Sequence, residues 1–126
     1  MEYVKSFRDL EVYKLARQLA MEIFIVSRRF PKEEVYALTD QIRRASRSVG
    51  GQISEGWGKR RYVNHFISKL TDADGEQLET QHWIETAEDC GYLTKEESID
   101  LLKKCVSIGK MLGSMIAKAP SFCRKN

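Results

Sequence analysis

Six basic side chains near the middle of the chain are the residues best suited to bind a charged ligand. They lie between positions 41 and 61, where Glu55 is the only carboxylate. Guanidinium and ammonium groups concentrated in this way neutralise phosphates and release counterions, so the block predicts a surface that binds RNA or DNA. The predicted nucleic-acid-binding residues are Arg43, Arg44, Arg47, Lys59, Arg60 and Arg61.

An acidic block gives the same six residues a second interpretation. Residues 72–100 contain ten carboxylates and one basic residue, Lys95, and opposite charges on neighbouring surfaces attract. The carboxylates considered for pairing, within or between subunits, include Asp72, Asp74, Glu76 and Glu79. An ion pair is favoured most for Arg44, because Glu55 follows it by three turns on the same side of the predicted helix. Nucleic-acid binding and ion pairing stay open as alternatives.

Two aromatic residues flank the second half of the basic block. Trp57 precedes the run of basic residues 59–61, and Tyr62 follows it. Aromatic rings beside cationic side chains can stack on nucleic-acid bases. More often, such rings close the end of a helix bundle or a protein interface.

Glu79 and His82 have the Glu-x-x-His spacing found in di-iron bundles. A carboxylate-bridged di-iron site needs this motif on two helices, with a further Glu from each of the other two. The second histidine of the chain, His65, has Tyr62 three residues before it, so the second motif is missing. The sequence also lacks a GxSxG, a phosphate-binding glycine loop and a dinucleotide fingerprint. It therefore predicts no metal, no cofactor and no enzymatic activity.

The composition indicates one helical domain covering residues 1–126. The chain is long enough for a single core and too short for two, and it is 42% hydrophobic and 31% charged with only two prolines. It contains no apolar run of the roughly 18 residues that cross a bilayer. The charged N-terminal residues do not resemble a secretory signal. These features predict a cytoplasmic protein with no membrane association.

Three cysteines without CxxC spacing argue against a disulfide framework or a zinc ribbon. We expect Cys90 and Cys105 to be small core residues, and Cys123 to be a free thiol near the end of the chain.

Two amphipathic helices are predicted in the first half of the chain, because apolar residues recur there every three or four positions. The first begins near Leu10 with Asp9 as its cap, and Pro31 ends it, since proline cannot continue the hydrogen-bond ladder. The second runs from Thr39, its predicted N-cap, to Trp57 and carries the first three arginines of the basic block.

Two further helices are predicted in the second half. The third ends near Cys90 with Gly91 as its C-cap. The fourth follows a capping box formed by Thr94 and Glu97, and it stops at Pro120. Four amphipathic helices joined by short links predict an all-α fold, an antiparallel up-down-up-down four-helix bundle.

The pattern of residues along these helices resembles a known family: the small four-helix bundle proteins first noticed in intervening sequences of bacterial large-subunit ribosomal RNA genes. The central match is the run 41–45 with Ser48, Ile53, Glu55 and Gly56. Further matches are Phe7, residues 9–13, Phe30 with Pro31, Glu34, Tyr36, Gly75, residues 78–80 and residues 91–93. The resemblance covers almost the whole chain and keeps the order of the matches.

The resemblance implies a cytoplasmic bundle that assembles into a ring, with a homopentamer as the expected oligomer. A relative in the same family is an accessory protein of diversity-generating retroelements. That relative is basic and partners nucleic acid and a reverse transcriptase. By resemblance, the expected partners are other copies of this chain, RNA or DNA, and a reverse transcriptase or another protein. The alternative is a protein-binding adaptor or structural ring that binds no nucleic acid.

Overall fold

A computed structural model describes residues 4–123, and four long α-helices make up most of this range. The helices are α1 (Glu11–Ser27), α2 (Leu38–Gly58), α3 (Val63–Asp89) and α4 (Lys95–Ala117), followed by a short α5 (Ala119–Phe122). Single 3-10 turns, Phe7–Asp9 and Lys32–Glu34, precede α1 and α2. The described part of the chain contains no β-strand. The predicted all-α class is confirmed.

Each long helix packs against two others. Helix α2 contacts α1 and α3, and α4 contacts the same two helices from the other side. Between α2 and α3, Arg44 pairs with Glu79, whereas Gln52 accepts a hydrogen bond from Lys69. Residues later in α2 thus meet residues earlier in α3. This order of contacts is consistent with the predicted antiparallel bundle.

The buried apolar residues form a single cluster to which all four long helices contribute. Its most completely buried large side chains are Leu19, Ile23, Ile42, Val49, Ile53, Phe66, Leu70, Ile84, Ile108 and Leu112. Burying one side chain of this size stabilises the fold by about 1.5–3 kcal/mol. Because α2 turns its apolar stripe inward, its arginines lie toward the edges and outer surface of the bundle.

The middle of α3 brings polar groups into the interior. Gln77 is only 3% exposed, and its amide donates to Asp74 Oδ1 over 2.9 Å and accepts from Gln81 Nε2 over 2.8 Å. Thr80, also buried, donates its hydroxyl to the Glu76 carbonyl. These local partners offset the cost of removing the polar groups from water.

The helix ends in the second half of the chain lie at or within a few residues of the predicted positions. Thr94 and Glu97 form the predicted capping box at the start of α4. The C-cap of α3 is Cys90, one residue before the predicted Gly91. Gly91 follows it with a φ of +79°, the left-handed conformation that favours glycine directly after a helix. Helix α4 ends at Ala117, three residues before the predicted stop at Pro120, which lies in the first turn of α5.

The helix ends in the first half differ from the predictions. Asp9 does not cap α1; it closes a capping box with Ser6 on the preceding 3-10 turn. Thr39 lies inside α2, because the helix begins at Leu38 and its N-cap, Ala37, comes two residues before the predicted N-cap. Helix α1 ends at Ser27, four residues before the predicted stop at Pro31. Residues 28–30 form turns between the helix and the proline.

The cysteines confirm one core assignment and correct another. Cys105 is fully buried, and burial raises the pKa of its thiol to about 12. Cys90 is exposed, contrary to prediction. It is the C-cap of α3, and the buried seam of that helix already ends at Ala87. Cys123 is a free thiol, as predicted, and it packs partly against the core.

Candidate nucleic-acid interface

The six predicted basic residues form two clusters. Arg43, Arg44 and Arg47 lie in the first half of α2, whereas residues 59–61 form the turn that follows the helix. Arg47 and Lys59 are separated by about 18 Å along the helix axis, at about 1.5 Å per residue. The structure therefore divides the basic block and does not gather it into one site.

Arg44 is neutralised by helix α3. Its guanidinium pairs with Glu79, and its Nη1 lies 3.6 Å from Glu76 Oε1, which is ion-pair distance but too long for a hydrogen bond. The hydrogen bond with Glu79 raises the pKa of Arg44. Hydrogen bonds from Trp83 and then Arg44 lower the pKa of Glu79. For Arg44, the predicted pairing with the acidic block is confirmed.

The predicted partner Glu55 does not contact Arg44. Glu55 pairs instead with Lys69 of α3, over 3.3 Å. Three helical turns place Glu55 about 16 Å from Arg44 along the axis, so a shared side of the helix does not bring the two charges together.

Arg43 and Arg47 lie against the ring of Phe24 in α1. The guanidinium carbons are 4.9 Å and 5.7 Å from the ring centroid, respectively, within the range of a cation–π contact. Arg43 also donates its Nε hydrogen to Ser27 Oγ over 2.8 Å. Within residues 4–123, neither arginine has a carboxylate partner. Both guanidinium groups keep their charge uncompensated.

Lys59 and Arg61 are exposed in the turn after α2. Neither forms an ion pair with a carboxylate of the described residues. Arg61 lies near the ring of Tyr62, with 5.8 Å between guanidinium carbon and centroid. Together with Lys5, which the sequence analysis missed, the turn forms a basic cavity of about 350 Å³. The sequence does not indicate that Lys5 belongs to this cluster, because Lys5 lies more than fifty positions before the turn.

The two aromatic residues beside this turn are only partly available for stacking on nucleic-acid bases. Arg60 covers Trp57, with its guanidinium carbon 3.5 Å from the ring centroid, and donates to the Trp57 carbonyl. Trp57 is half-buried and packs against the core, as the bundle-closing interpretation predicts. Tyr62 is 56% exposed, and its ring lies 5.3 Å from that of His65.

A second cavity, of about 690 Å³, lies at the other end of α2. It is lined by Val35, Tyr36, Thr39, Asp40, Arg43, Arg44, Arg47 and Ser48. Tyr36 is 94% exposed. In the sequence, Tyr36 is only one of the residues that resemble the family pattern. Its position between a 3-10 turn and the start of α2, outside both apolar stripes, is the signal that could have identified it.

An apolar groove of about 450 Å³ runs between α1 and α2 and adjoins Arg47. Its lining includes Tyr13, Ala16, Ala20, Met21, Phe24, Gly50 and Gly51. Gly50 faces Tyr13: a Cβ atom built on this glycine would lie 3.6 Å from the ring. The groove therefore places an apolar surface next to Arg47.

The Glu-x-x-His motif is engaged in other contacts. The Glu79 carboxylate accepts hydrogen bonds from Arg44 and from Trp83 Nε1, and His82 is exposed beside the Trp83 ring. In the described range, no three His, Cys, Asp or Glu side chains are grouped to hold a metal ion. The helices of that range include none that is long and apolar enough to cross a membrane.

Fold and site define a helical-bundle protein with a divided basic surface on its second helix. Residues 8–114 match the model of the 23S rRNA-intervening sequence protein family, and the chain belongs to this family. No curated protein matches the chain. A similar solved structure is a crystal structure of a protein of unknown function from the S23 ribosomal protein family of Bacteroides thetaiotaomicron. The two are 26% identical with a TM-score of 0.75, over 84% of this chain and 95% of the other.

Proposed function

We propose that this protein is a non-enzymatic, homo-oligomeric scaffold of the cytoplasm that binds RNA or DNA with little sequence preference. The observation that carries the proposal is the state of Arg47, Lys59 and Arg61. All three are exposed, and none is paired with a carboxylate of the described residues. Arg43 and Arg60 flank them, and Arg44 serves mainly to join α2 to α3.

The surface between the two clusters suits a passing nucleic-acid strand. Gly51 and Gly58 lie on it, and a Cβ atom at either position would meet open space. Along a duplex, each strand carries one phosphate per about 3.4 Å of helix axis, so the separation of about 18 Å corresponds to about five phosphates of one strand. One nucleic-acid molecule could therefore contact both clusters at once.

Self-association would multiply this basic surface. The outer side of α3 is exposed and acidic, with Glu85 and Asp89 on the same face as Leu78, itself 55% exposed. Its charge and its exposed apolar residue complement the α1–α2 groove, whose lining also includes the exposed Arg17. In an antiparallel up-down-up-down bundle, these surfaces lie on different sides, so their pairing would be head-to-tail, the kind of contact that forms a ring when the rotation between neighbouring subunits closes. The resemblance implies five subunits, and several copies strengthen binding through multivalency.

A salt series on labelled single-stranded and double-stranded RNA tests nucleic-acid binding. We expect affinity to fall as salt rises, with a slope on single strands that decreases by about 0.7 for each phosphate contact removed. The variants are Arg47→Ala and the double variant Lys59→Ala/Arg61→Ala. Lys110→Ala, an exposed lysine of α4, is the matched control and should leave the slope unchanged. Absence of binding even at low salt would contradict the proposal.

The second candidate function is a protein-binding adaptor or structural ring without nucleic-acid binding. The apolar α1–α2 groove favours it, because aromatic residues, Met and Arg are enriched at protein interfaces. The resemblance implies a reverse transcriptase as one such partner. Light scattering at increasing ionic strength separates the roles of the charges: an oligomer held by the basic and acidic surfaces should dissociate as salt rises. A mass that is independent of salt would argue against assembly through these charges.

A further inference from the structure

We propose that Tyr36 is the base-stacking platform of this interface and that the preferred ligand is single-stranded nucleic acid. The inference rests on the proposed function and specifies its ligand. It starts from the exposure of the ring: Tyr36 is 94% exposed, in the turn between the 3-10 turn Lys32–Glu34 and α2. Within residues 4–123, its hydroxyl has no hydrogen-bond partner and its ring contacts no other ring.

The other aromatic side chains near the basic residues are less open. Arg60 covers Trp57, and Phe24 lies beneath Arg43 and Arg47. Tyr62 is in contact with His65. Tyr36 is therefore the ring of this surface that a flat ligand reaches most easily.

Exposed tyrosines are common on protein surfaces, so the surroundings of Tyr36 carry the argument. Its ring borders the cavity of about 690 Å³ that Arg43 and Arg47 also line. Since Arg44 is neutralised by α3, these two arginines supply the positive charge. Asp40 lines the same cavity and repels phosphate. A nucleotide would thus place its phosphate at the arginines and its base at Tyr36.

A site that binds the phosphate through arginines and the base through Tyr36 should prefer single strands to duplexes. Arginines reach the phosphates of single-stranded and duplex nucleic acid alike, whereas the bases of a duplex are already stacked on one another. Single-stranded segments can turn a base outward onto an aromatic side chain, and every base has a face that stacks. We expect discrimination between single strands and duplexes without strong sequence preference.

A protein partner is the competing occupant, because Val35 beside Tyr36 is 44% exposed and a tyrosine can anchor a protein interface. The lining of this cavity favours nucleic acid, because arginine and hydroxyl side chains outnumber its one carboxylate, Asp40. The apolar side chains suited to a protein contact lie mainly in the separate α1–α2 groove.

Fluorescence anisotropy on a short labelled single-stranded RNA and a matched duplex tests the inference. Tyr36→Ala should weaken single-strand binding about 5- to 150-fold, the range found when a stacking aromatic is removed. It should change duplex binding less than about twofold, since phosphate contacts remain. Tyr36→Phe keeps the ring and should bind like the wild type. Val106→Ala, at an exposed apolar residue of α4 away from this cavity, is the matched control and should also leave binding unchanged.

The outcomes separate this inference from the proposed function. If Tyr36→Ala binds single strands normally while Lys59→Ala/Arg61→Ala binds weakly, the platform is refuted and the nucleic-acid surface stands. If the wild type binds neither RNA, both proposals fail. If Tyr36→Ala lowers the oligomer mass in light scattering, the ring belongs to a subunit interface and the inference is overturned. A thermal melt of each variant confirms folding, which the exposure of Tyr36 leads us to expect.

Discussion

The ion pair between Arg29 and Glu97 should make the stability of the protein depend on pH. The Glu97 carboxylate accepts two hydrogen bonds of 2.8 Å from the Arg29 guanidinium and one of 2.9 Å from the Thr94 backbone N–H. The hydrogen bonds from Arg29, followed by that from Thr94, lower the pKa of Glu97 from 4.5 to about 2. The contact joins the end of α1 to the start of α4.

A lowered carboxyl pKa stabilises the folded state at pH values above the unfolded pKa. This contribution is complete above about pH 4.5 and is lost as the pH falls toward 2. Full conversion at about 1.36 kcal/mol per pKa unit would give about 3.4 kcal/mol. Because the side chains of Arg29 and Glu97 are 51% and 29% exposed, solvent screening reduces this to about 1–2 kcal/mol.

Glu97→Gln isolates the charge, because glutamine can still complete the capping box with Thr94. We expect this variant to have a free energy of unfolding about 1–2 kcal/mol lower than wild type at pH 7. The difference should disappear as the pH approaches 2. Urea unfolding followed by circular dichroism, at one protein concentration and several pH values, measures it. Glu96→Gln, next to Glu97 and exposed, is the control and should cost less. Equal stability of Glu97→Gln and wild type at pH 7, or a difference that persists unchanged in acid, would refute this reasoning.

Three glycine substitutions should change the free energy of unfolding in different directions. Gly51→Ala should raise it by about 0.5–1 kcal/mol, because alanine favours the helix and its methyl group would meet open space; a loss would show that this face is covered in solution. Gly109→Ala should lower the free energy of unfolding by about 1 kcal/mol, after the helix gain of alanine is included. The new Cβ would lie 2.9 Å from Gln77 Nε2, and the buried amide cannot move without losing its hydrogen bond to Asp74. An unchanged free energy of unfolding would mean that the amide adapts. Gly91→Ala should cost about 1 kcal/mol, since its φ is +79°. The same urea titrations measure all three, and an unchanged Gly91→Ala midpoint would argue against the left-handed turn.

The helices were predictable because their signals are local. The capping box of Thr94 and Glu97 needs only residues three positions apart, and Gly91 marks a helix end by its own backbone freedom. Thr39 shows where such signals fail. Its side chain is a good N-cap in isolation, but burial of Leu38 in the core extends α2 to include it.

The candidate site was only partly predictable, because its contacts depend on how helices pack. The acidic block correctly indicated partners for Arg44, but choosing Glu79 over Glu55 requires the register of α3 against α2. The exposure of Tyr36 depends on which segments cover the turn. The approach of Lys5 to Arg61 depends on the path of the N-terminal segment. Patterns within one helix contain none of this information.

The burial of Cys105 leaves the protein with one readily accessible thiol at a defined place. Burial holds the pKa of Cys105 at about 12 and raises that of Cys123, whereas Cys90 is exposed at the end of α3. A maleimide dye should therefore react first at Cys90 without any engineered residue. If copies of the chain form the proposed ring, energy transfer between donor- and acceptor-labelled copies would then report the spacing of neighbouring α3 ends.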